Sequence, residues 1–406
     1  MGSTKVVYAV LLIVVIAFSL RLPGLGTFMT ADEGNWMIRS SEFWRNLFLN
    51  DDPGGTFRTS HPGVMTMWIG GSGIFLQEIR LGFVADESNL EHFRIAATLP
   101  IAISTVLLIG VITFLTIRLR GVPTGLTVGL VLATDPYLTG LSQILHLDAL
   151  LSLFMLSAFL SFLLHWKTRH WRYLILTGVF TGLAMLNKFL PSLWLFVMYG
   201  LYMLISNPLP WKARIVSALR KGFFVVGVVG LMFALLWPAL LVMRNTVDYL
   251  QKDTVTIVTD EHTGLETSEE PITPASFYLR TIVSRTTPFV LILWAAMVVV
   301  QARYILANRR LNNSAWVIVY TVGFVALITF VAKKGDRYAL PALVGMMFTI
   351  GEGLPLAWAL LRTRLRVLHT SFAAYGAYGV LALLLVLQLI TWTPYAIAYS
   401  NQLFDV

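Results

Sequence analysis

The sequence predicts an all-α integral membrane protein that crosses the bilayer with about eleven helices. Hydrophobic residues make up 57% of the 406 positions and charged residues only 13%, about half of the roughly 25% that soluble domains contain. Apolar runs near the ~20 residues that span a hydrocarbon core recur along the whole chain. These runs are continuous rather than alternating, so they favour helices over the strands of a barrel. A soluble enzyme is therefore excluded.

The predicted spans follow one another with short polar connections. The first apolar run is short enough for a signal peptide, but Arg21, Leu22 and Pro23 follow it where a small-residue cleavage site would stand. We therefore predict a retained anchor, with a cleaved signal as the alternative. The fifth and sixth spans are almost contiguous, and Pro191 is predicted to mark a tight turn between them. The predicted spans are 5–20, 94–117, 122–141, 147–164, 173–189, 190–206, 222–243, 286–302, 315–332, 338–360 and 370–392.

Basic residues concentrate in alternate loops, and this asymmetry predicts the topology. If the N-terminus is cytoplasmic, the loops on that side contain no Asp or Glu, which is the positive-inside pattern. The pattern accounts for much of the net charge of +9 and removes the need for a nucleic-acid partner. The chain has no cysteine, so disulfide and thiol chemistry are excluded. The basic residues of these loops are Arg118, Arg120, Lys167, Arg169, Arg172, Lys212, Arg214, Arg220, Lys221, Arg303, Arg309, Arg310, Arg362, Arg364 and Arg366.

Two long segments, 21–93 and 244–285, are then predicted to lie outside. Within the first, residues 35–49 place apolar side chains on one helical stripe and polar ones on the other, which predicts a helix lying in the membrane interface. Residues 64–76 are apolar but short and contain several glycines. They predict a second interfacial or re-entrant helix, because another span there would reverse the charge asymmetry.

Adjacent carboxylates, Asp32 and Glu33, follow the outer end of the first span. Such a pair near a low-dielectric boundary is costly unless it is paired or used. A carboxylate there could act as a general base toward an acceptor hydroxyl. The alternative is an ordinary helix-start signal, because acidic residues commonly open helices.

A cationic cluster, Lys333, Lys334 and Arg337, lies between the ninth and tenth spans, with Asp336 and Tyr338 beside it. One helical turn would gather the three cations on one side. The predicted topology puts the cluster outside, against the general charge bias. Exterior cations beside the headgroups suit a phosphate ligand, and the alternative is snorkelling to lipid phosphates.

Further polar residues are predicted at the same outer surface, where they could line a pocket. They are Arg58 and His61 in the first exterior segment, His146 and Asp148 at the start of the fourth span, and Lys188 at the end of the fifth. Each has an ordinary explanation as a helix cap or a snorkelling side chain, and only their convergence on one face raises their interest. Glu352, deeper in the tenth span, has no role that the sequence assigns.

The opening motifs resemble those of the GT-C-type, polyprenyl-phosphate-dependent glycosyltransferases, in the branch of protein O-mannosyltransferases and aminoarabinose transferases. That family has an arginine at the end of the first helix and then an Asp-Glu pair, matched here by Arg21 and by Asp32-Glu33. The resemblance covers roughly residues 1–345 and, faintly, the tail. Two positions depart from the family pattern: Gly63 replaces a proline and Asn187 replaces a threonine. Further similar segments, in family order, are Ser60-His61-Pro62-Gly63, Leu145-His146-Leu147-Asp148-Ala149-Leu150-Leu151, Gly182-Leu183-Ala184-Met185-Leu186-Asn187-Lys188 and Lys334 with Arg337-Tyr338 and Leu340-Pro341.

The resemblance implies that Asp32 is the catalytic base and that Glu33 supports it. It implies that cations hold the phosphate of a lipid-linked monosaccharide, with inversion at the sugar. The implied acceptor is a hydroxyl of a protein, glycolipid or polysaccharide. No cofactor and no metal are implied, although relatives outside this branch use divalent metals. The residues assigned to the donor phosphate are Lys333, Lys334, Arg337, Tyr338 and Lys188.

The implied organisation is a GT-C-like transmembrane domain over 1–393 with a short exterior tail over 394–406. The implied location is the plasma membrane, with the site on the extracytoplasmic face. A transporter or flippase for a lipid-linked sugar is the main alternative, but it would favour internal repeats and polar residues near the midplane. A non-catalytic scaffold would need neither Asp32-Glu33 nor the outward cations. The enzyme hypothesis requires the acidic pair and the cations to meet in one cavity.

Overall fold

A computed structural model of the protein describes residues 3–59, 62–242, 274–308, 311–331, 334–364 and 371–400. Within these ranges every regular element is a helix, and none is a strand. The helices are α1 (Ser3–Arg21), α2 (Glu33–Phe48), α3 (Val64–Leu81), α4 (Arg94–Arg120), α5 (Val122–Thr134), α6 (Pro136–Leu141), α7 (Asp148–Thr168), α8 (Trp171–Asn187), α9 (Phe189–Ser192), α10 (Trp194–Ile205), α11 (Trp211–Leu236), α12 (Ala239–Val242), α13 (Pro274–Arg285), α14 (Pro288–Asn308), α15 (Asn313–Thr329), α16 (Leu340–Arg364) and α17 (Ser371–Ile390).

The all-α membrane architecture predicted from the sequence is confirmed. By length and composition, 5 helices among the described residues could cross a membrane, and further apolar helices are shorter. The total of about eleven spans therefore stays a prediction. The long apolar helices are Thr4–Gly24, Leu90–Arg120, Asp148–Thr168, Trp211–Leu236 and Pro288–Ala307.

Two helix breaks differ from the predicted spans. Proline explains the first break. The segment 122–141 is broken into α5 and α6 because Pro136 disfavours helical geometry at the preceding residue, and Asp135 is extended with φ −68° and ψ 125°. The predicted turn at Pro191 is also displaced. The break falls at Lys188, which is extended with φ −150° and ψ 110°, and Pro191 lies inside the short helix α9.

The predicted loop 207–221 is wrong over most of its length. Helix α11 begins at Trp211, eleven residues before the predicted span at 222 (222 − 211), and its first turns carry basic residues. Long basic side chains can extend from an apolar helix toward water while their stems remain in an apolar environment. Helix assignment from the apolar run alone therefore begins too late here.

Helix α7 forms the axis of the described structure. Its membrane-spanning window is entirely buried by the surrounding protein, and it packs against α4, α8, α10 and α16. At 21 residues and 1.5 Å per residue, it is about 30 Å long. Its first residue, Asp148, and its last turn therefore mark two separated ends of the molecule.

The first exterior segment forms two packed helices, α2 and α3. The predicted apolar stripe of α2 is buried, with Trp36, Met37 and Phe43 at most 3% exposed. It packs against α3, which continues to Leu81, beyond the predicted end at 76. A Cβ on Gly71 would lie 2.4 Å from the ring of Trp44. The glycines of α3 therefore allow close helix packing, and the stripe faces another helix.

Candidate active site

The predicted base and one of the predicted phosphate ligands lie in direct contact. Arg337 Nη2 donates to Asp32 Oδ2 at 2.6 Å. Asp32 immediately precedes α2, and Arg337 lies in a 3-10 turn, Asp336–Ala339, just before α16. Their side chains are 46% and 34% exposed. The pair is therefore partly accessible, unlike a buried structural salt bridge.

Asp148 pairs with two cations, Lys188 and Arg337, next to the contact between Asp32 and Arg337. Its carboxylate is 1% exposed, and Lys188 Nζ donates to its Oδ1 at 3.0 Å. The Nε atom of Arg337 lies 3.5 Å from Asp148 Oδ2. A buried carboxylate is tolerated when it is paired in this way. The fourth predicted span thus begins with the carboxylate that fixes both cations.

His146 lies between the two carboxylates. Its Nδ1 is 2.9 Å from Asp148 Oδ2, and its Nε2 is 3.7 Å from Asp32 Oδ2. The ring packs edge-on against Trp36 of α2, with ring centroids 6.5 Å apart. His146 and then Arg337 hold the pKa of the Asp32 carboxyl below its ordinary value, against the opposing effect of partial burial. Asp32 is therefore ionised at neutral pH.

Glu33 is buried, unlike Asp32, and its carboxylate binds backbone groups. Its Oε2 accepts from the Thr30 backbone N–H at 2.6 Å, and its Oε1 accepts from the Leu145 backbone N–H at 2.9 Å. These bonds tie the start of α2 to the turn that carries His146. The support of Asp32 by Glu33 stays a prediction, and the contacts of Glu33 are with backbone groups.

Asn187, at the end of α8, joins three segments around the cluster. Its Nδ2 donates to Leu147 O at 2.8 Å, its Oδ1 accepts from Thr66 Oγ1 at 2.9 Å, and its backbone carbonyl accepts from Gly63 N at 3.0 Å. Gly63 is left-handed with φ +56°, a conformation closed to the proline of the family pattern. The two departures from the family pattern therefore contact each other here.

Lys188 and Tyr338, both predicted to bind the donor phosphate, contact each other in the structure. Lys188 Nζ lies 4.1 Å from the centroid of the Tyr338 ring. The ammonium therefore has a carboxylate on one side and an aromatic face on the other. This arrangement fixes the position of the cation.

Lys334 lies elsewhere. Its Nζ donates to the carbonyls of Thr329 at 2.6 Å and Ile328 at 3.3 Å, at the end of α15, and it lies 5.2 Å from the ring centroid of Tyr278. Burial lowers the pKa of this ammonium. Lys334 thus binds carbonyls at the C-terminal end of α15. Among the described residues, the hydrogen bonds and ion pairs do not link Lys334 to Asp32, Asp148 or Arg337. Lys333 lies outside the described residues.

Of the predicted pocket residues in the first exterior segment, Arg58 forms an ion pair with Glu42 of α2. This pair holds the loop after α2 against that helix, and the structure gives Arg58 no ion pair with the Asp32 cluster. His61 lies outside the described residues. Among the described residues, no group of three or more His, Asp or Glu side chains has a geometry that could hold a metal ion.

A second network, which the sequence did not indicate, positions the turn that carries Arg337. Arg285, the last residue of α13, donates to Asp336 Oδ2 at 2.7 Å and to the Tyr399 carbonyl at 2.7 Å, and its guanidinium lies 5.3 Å from the ring centroid of Tyr137. Asp336 Oδ1 accepts from the Arg337 backbone N–H at 2.7 Å. The only sequence signal was the placement of Asp336 beside Arg337.

Glu352, which the sequence left without a role, pairs with Arg120 at the end of α4. Arg120 also donates to Ser314 Oγ at 3.3 Å. Lys167 donates to the neighbouring Leu119 carbonyl at 2.6 Å, so this pair lies near the C-terminal end of α7. Glu352 therefore joins helices α4 and α16 at the end opposite to Asp148.

Comparison with known proteins finds one family model that matches part of the chain. The model of the dolichyl-phosphate-mannose-protein mannosyltransferase family matches residues 91–240. The matched segment contains His146, Asp148 and Lys188, and it excludes Asp32 and Arg337. No curated protein sequence matches the chain significantly.

Solved structures extend the similarity over almost the whole chain. ArnT from Cupriavidus metallidurans bound to undecaprenyl phosphate has a TM-score of 0.61 at 16% identity, covering 96% of this chain and 70% of that one. The apo oligosaccharyltransferase of Archaeoglobus fulgidus has a TM-score of 0.64 at 12% identity, covering 98% and 57%. The ArnT apo state has a TM-score of 0.56 at 18% identity, covering 88% and 61%.

At these identities the similarity establishes the fold. The chain spans less than two thirds of the oligosaccharyltransferase and of apo ArnT. The family model matches one segment and the solved GT-C enzymes share the fold, so the chain has a GT-C-like fold.

Proposed function

We propose that this chain is a membrane glycosyltransferase that moves a monosaccharide from a polyprenyl-phosphate donor to an acceptor hydroxyl on the extracytoplasmic side. The observation that carries the proposal is the position of Arg337, which lies 2.6 Å from Asp32 and 3.5 Å from the buried Asp148. A candidate base and a candidate phosphate ligand, distant in sequence, thus meet in one accessible cluster. The family match over 91–240 and the fold shared with ArnT bound to undecaprenyl phosphate support the same reaction.

In the proposed reaction, the Asp32 carboxylate accepts the proton of the acceptor hydroxyl while its oxygen attacks the anomeric carbon. A new carbon–oxygen bond forms, and the bond from that carbon to the phosphate oxygen breaks. The polyprenyl phosphate leaves with the bonding electrons. Arg337 and Lys188 are fixed cations that stabilise this anion. Attack from the side opposite to the leaving group inverts the anomeric centre.

Asp148 acts in this proposal as a positioning residue. It is buried and holds Lys188 at 3.0 Å and Arg337 at 3.5 Å. Cations fixed before the reaction need no reorganisation when negative charge develops on the leaving phosphate. Asp148 therefore contributes through the two side chains that it orients.

The contact between Asp32 and Arg337 also implies a coupling between donor binding and base strength. A base whose pKa is held far below the working pH is weak. A bound donor phosphate competes with Asp32 for Arg337, which removes one of the contacts that lower the pKa of Asp32. We therefore expect the pKa of Asp32 to rise when the donor binds, so the acidic limb of kcat lies at higher pH than the acidic limb of kcat/KM.

The test incubates the purified full chain with a panel of polyprenyl-phosphate sugars and with protein, glycolipid and polysaccharide acceptors. Products are identified by mass spectrometry, and their anomeric configuration by NMR. We expect transfer with inversion from at least one donor. Bound donor without transfer to any acceptor contradicts the proposal, and donor movement across vesicles without transfer favours the flippase alternative.

A further inference from the structure

A cavity of about 190 Å³ opens between α7, α8, α10 and α11. It lies near the C-terminal end of α7, far along that helix from Asp148. Its walls are mainly apolar, including Phe162, Phe196, Met203 and Val225, and one ammonium group, that of Lys221, lies among the lining residues. The cavity is smaller than the roughly 300–1,000 Å³ of sites for drug-sized ligands. A slender apolar chain fits such a space better than a compact polar molecule.

Cations cluster beside this cavity without carboxylate partners. The ring of Trp166 has Lys221 Nζ at 3.8 Å and the Arg169 guanidinium at 4.5 Å from its centroid. Arg172 and Arg220 lie over neighbouring aromatic rings. Within the part of the chain that the structure describes, none of these four cations forms an ion pair with Asp or Glu.

We infer that this cavity binds an anionic phospholipid, with an acyl chain among the apolar walls and the phosphate beside Lys221 and Arg169. Charge complementarity identifies the headgroup, because basic pockets between transmembrane helices recognise acidic lipid headgroups. The apolar side chains that line the cavity suit the acyl chain of the lipid. The site is separate from the Asp32–Arg337 cluster, and it does not depend on the proposed transferase activity.

Two glycines line the cavity, and larger side chains at these positions are a means of filling it. A Cβ added at Gly222 of α11 or at Gly200 of α10 meets nothing within 4 Å, and both residues line the cavity. Gly222→Leu and Gly200→Leu should therefore fill the space with little strain. Gly230→Leu is the matched control, because Gly230 is on the same helix as Gly222, is equally open and lies outside the lining.

The experiment delipidates the purified full chain and titrates it with phosphatidylglycerol or phosphatidylcholine, counting bound lipid by native mass spectrometry. We expect selective retention of phosphatidylglycerol. Gly222→Leu and Gly200→Leu should abolish that selective binding, and Gly230→Leu should leave it unchanged. Lys221→Gln should weaken it roughly fivefold, which corresponds to about 1 kcal/mol. Lys212→Gln, an exposed change at the start of α11, is the charge control and should have no effect.

Three results would overturn the inference. Equal retention of phosphatidylcholine would remove the role of the cations. Unchanged binding in both glycine variants would remove the cavity from the site. Preferential displacement of phosphatidylglycerol by polyprenyl phosphate would replace the proposed occupant with a different lipid.

Discussion

The two ends of α7 both gather cations but hold them by different means. Near Asp148, the side chains of Lys188 and Arg337 lie 2.6–3.5 Å from carboxylate oxygens. At the other end, Lys221 and Arg169 rest on the ring of Trp166. At the Asp148 end, cations alternate with carboxylates in fixed positions. At the Trp166 end, the cations lie over aromatic rings and leave a positively charged surface.

This difference separates two uses of positive charge. Carboxylate-paired cations have a fixed position, as transition-state stabilisation requires. Cations over aromatic faces keep an uncompensated charge that attracts anionic headgroups. The pair between Arg120 and Glu352 is an exception at the second end, and it joins two helices. Variants at each end of α7 test whether the two ends are separate in function.

Asp32→Asn should have the largest effect on the proposed activity. Loss of the base should lower kcat by about 10²–10⁴-fold, because the amide cannot accept the acceptor proton. Donor binding should be largely retained, since the phosphate is held by the cations. Initial rates by mass spectrometry and donor binding by calorimetry measure the two effects.

The matched control for Asp32 is Asp86→Asn, an exposed change in the same exterior segment. This control should keep full activity. An Asp32→Asn protein that transfers sugar at the unmodified rate would remove Asp32 from the mechanism.

Arg337→Ala should weaken donor binding by roughly 10- to 100-fold, because a hydrogen bond to a charged group contributes about 1.5–3 kcal/mol. The affinity for a non-transferable donor analogue is the appropriate measurement. Arg280→Ala removes an exposed cation of α13 and should leave the affinity unchanged. Equal affinities in both variants would assign Arg337 to headgroup contact alone.

Arg285→Gln should raise the KM for the donor roughly fivefold, from a loss of about 1 kcal/mol, with kcat almost unchanged. Arg285 acts through Asp336, which accepts from the Arg337 backbone. Asp336→Asn should therefore produce a similar KM effect, and the double variant should be no worse than either single variant. Additive effects would show that the two residues act independently.

His146→Phe should change the pH dependence rather than the maximal rate. The ring shape against Trp36 is kept, but the contact that most lowers the pKa of Asp32 is lost. The pKa of Asp32 should rise toward its ordinary value, so the acidic limb of kcat/KM should move to higher pH. The exposed His92→Phe serves as a control. An unmoved limb would mean that another group titrates there.

Lys221→Gln should have the smallest effect on sugar transfer, because Lys221 contacts Trp166, about 27 Å along α7 from Asp148 at 1.5 Å per residue, which is roughly three Debye lengths. We expect transfer rates within about twofold of the unmodified protein, since screening removes direct interaction over this distance. Initial rates in a fixed lipid mixture test this. A tenfold loss would show that the two ends of α7 are coupled.

Hydrophobic runs and short motifs were sufficient to predict the helical class and to select Asp32, Arg337, Asp148 and Lys188, which lie together in the structure. Helix boundaries were less predictable. The apolar signal hid the break at Asp135 and began α11 too late, because basic residues at a helix start resemble a loop.

The assignments that required three-dimensional information are those in which a side chain binds a distant backbone. Nothing near Glu33 in sequence indicates its bond to the Leu145 N–H. Nor does its local pattern distinguish Lys334 on the α15 carbonyls from a phosphate ligand, because both uses require an ammonium group at a helix end. Arg285 was not selected, since no motif surrounds it.

Residue order and hydrophobic period thus define which segments become helices and which charges they carry, because these properties depend on neighbours along the chain. Pairing of those charges depends on helix packing, which brings the adjoining ends of α2, α7, α8 and α16 together. Burial of Asp148 there makes pairing obligatory. The fold therefore selects, from thirty basic residues, the few that meet a carboxylate.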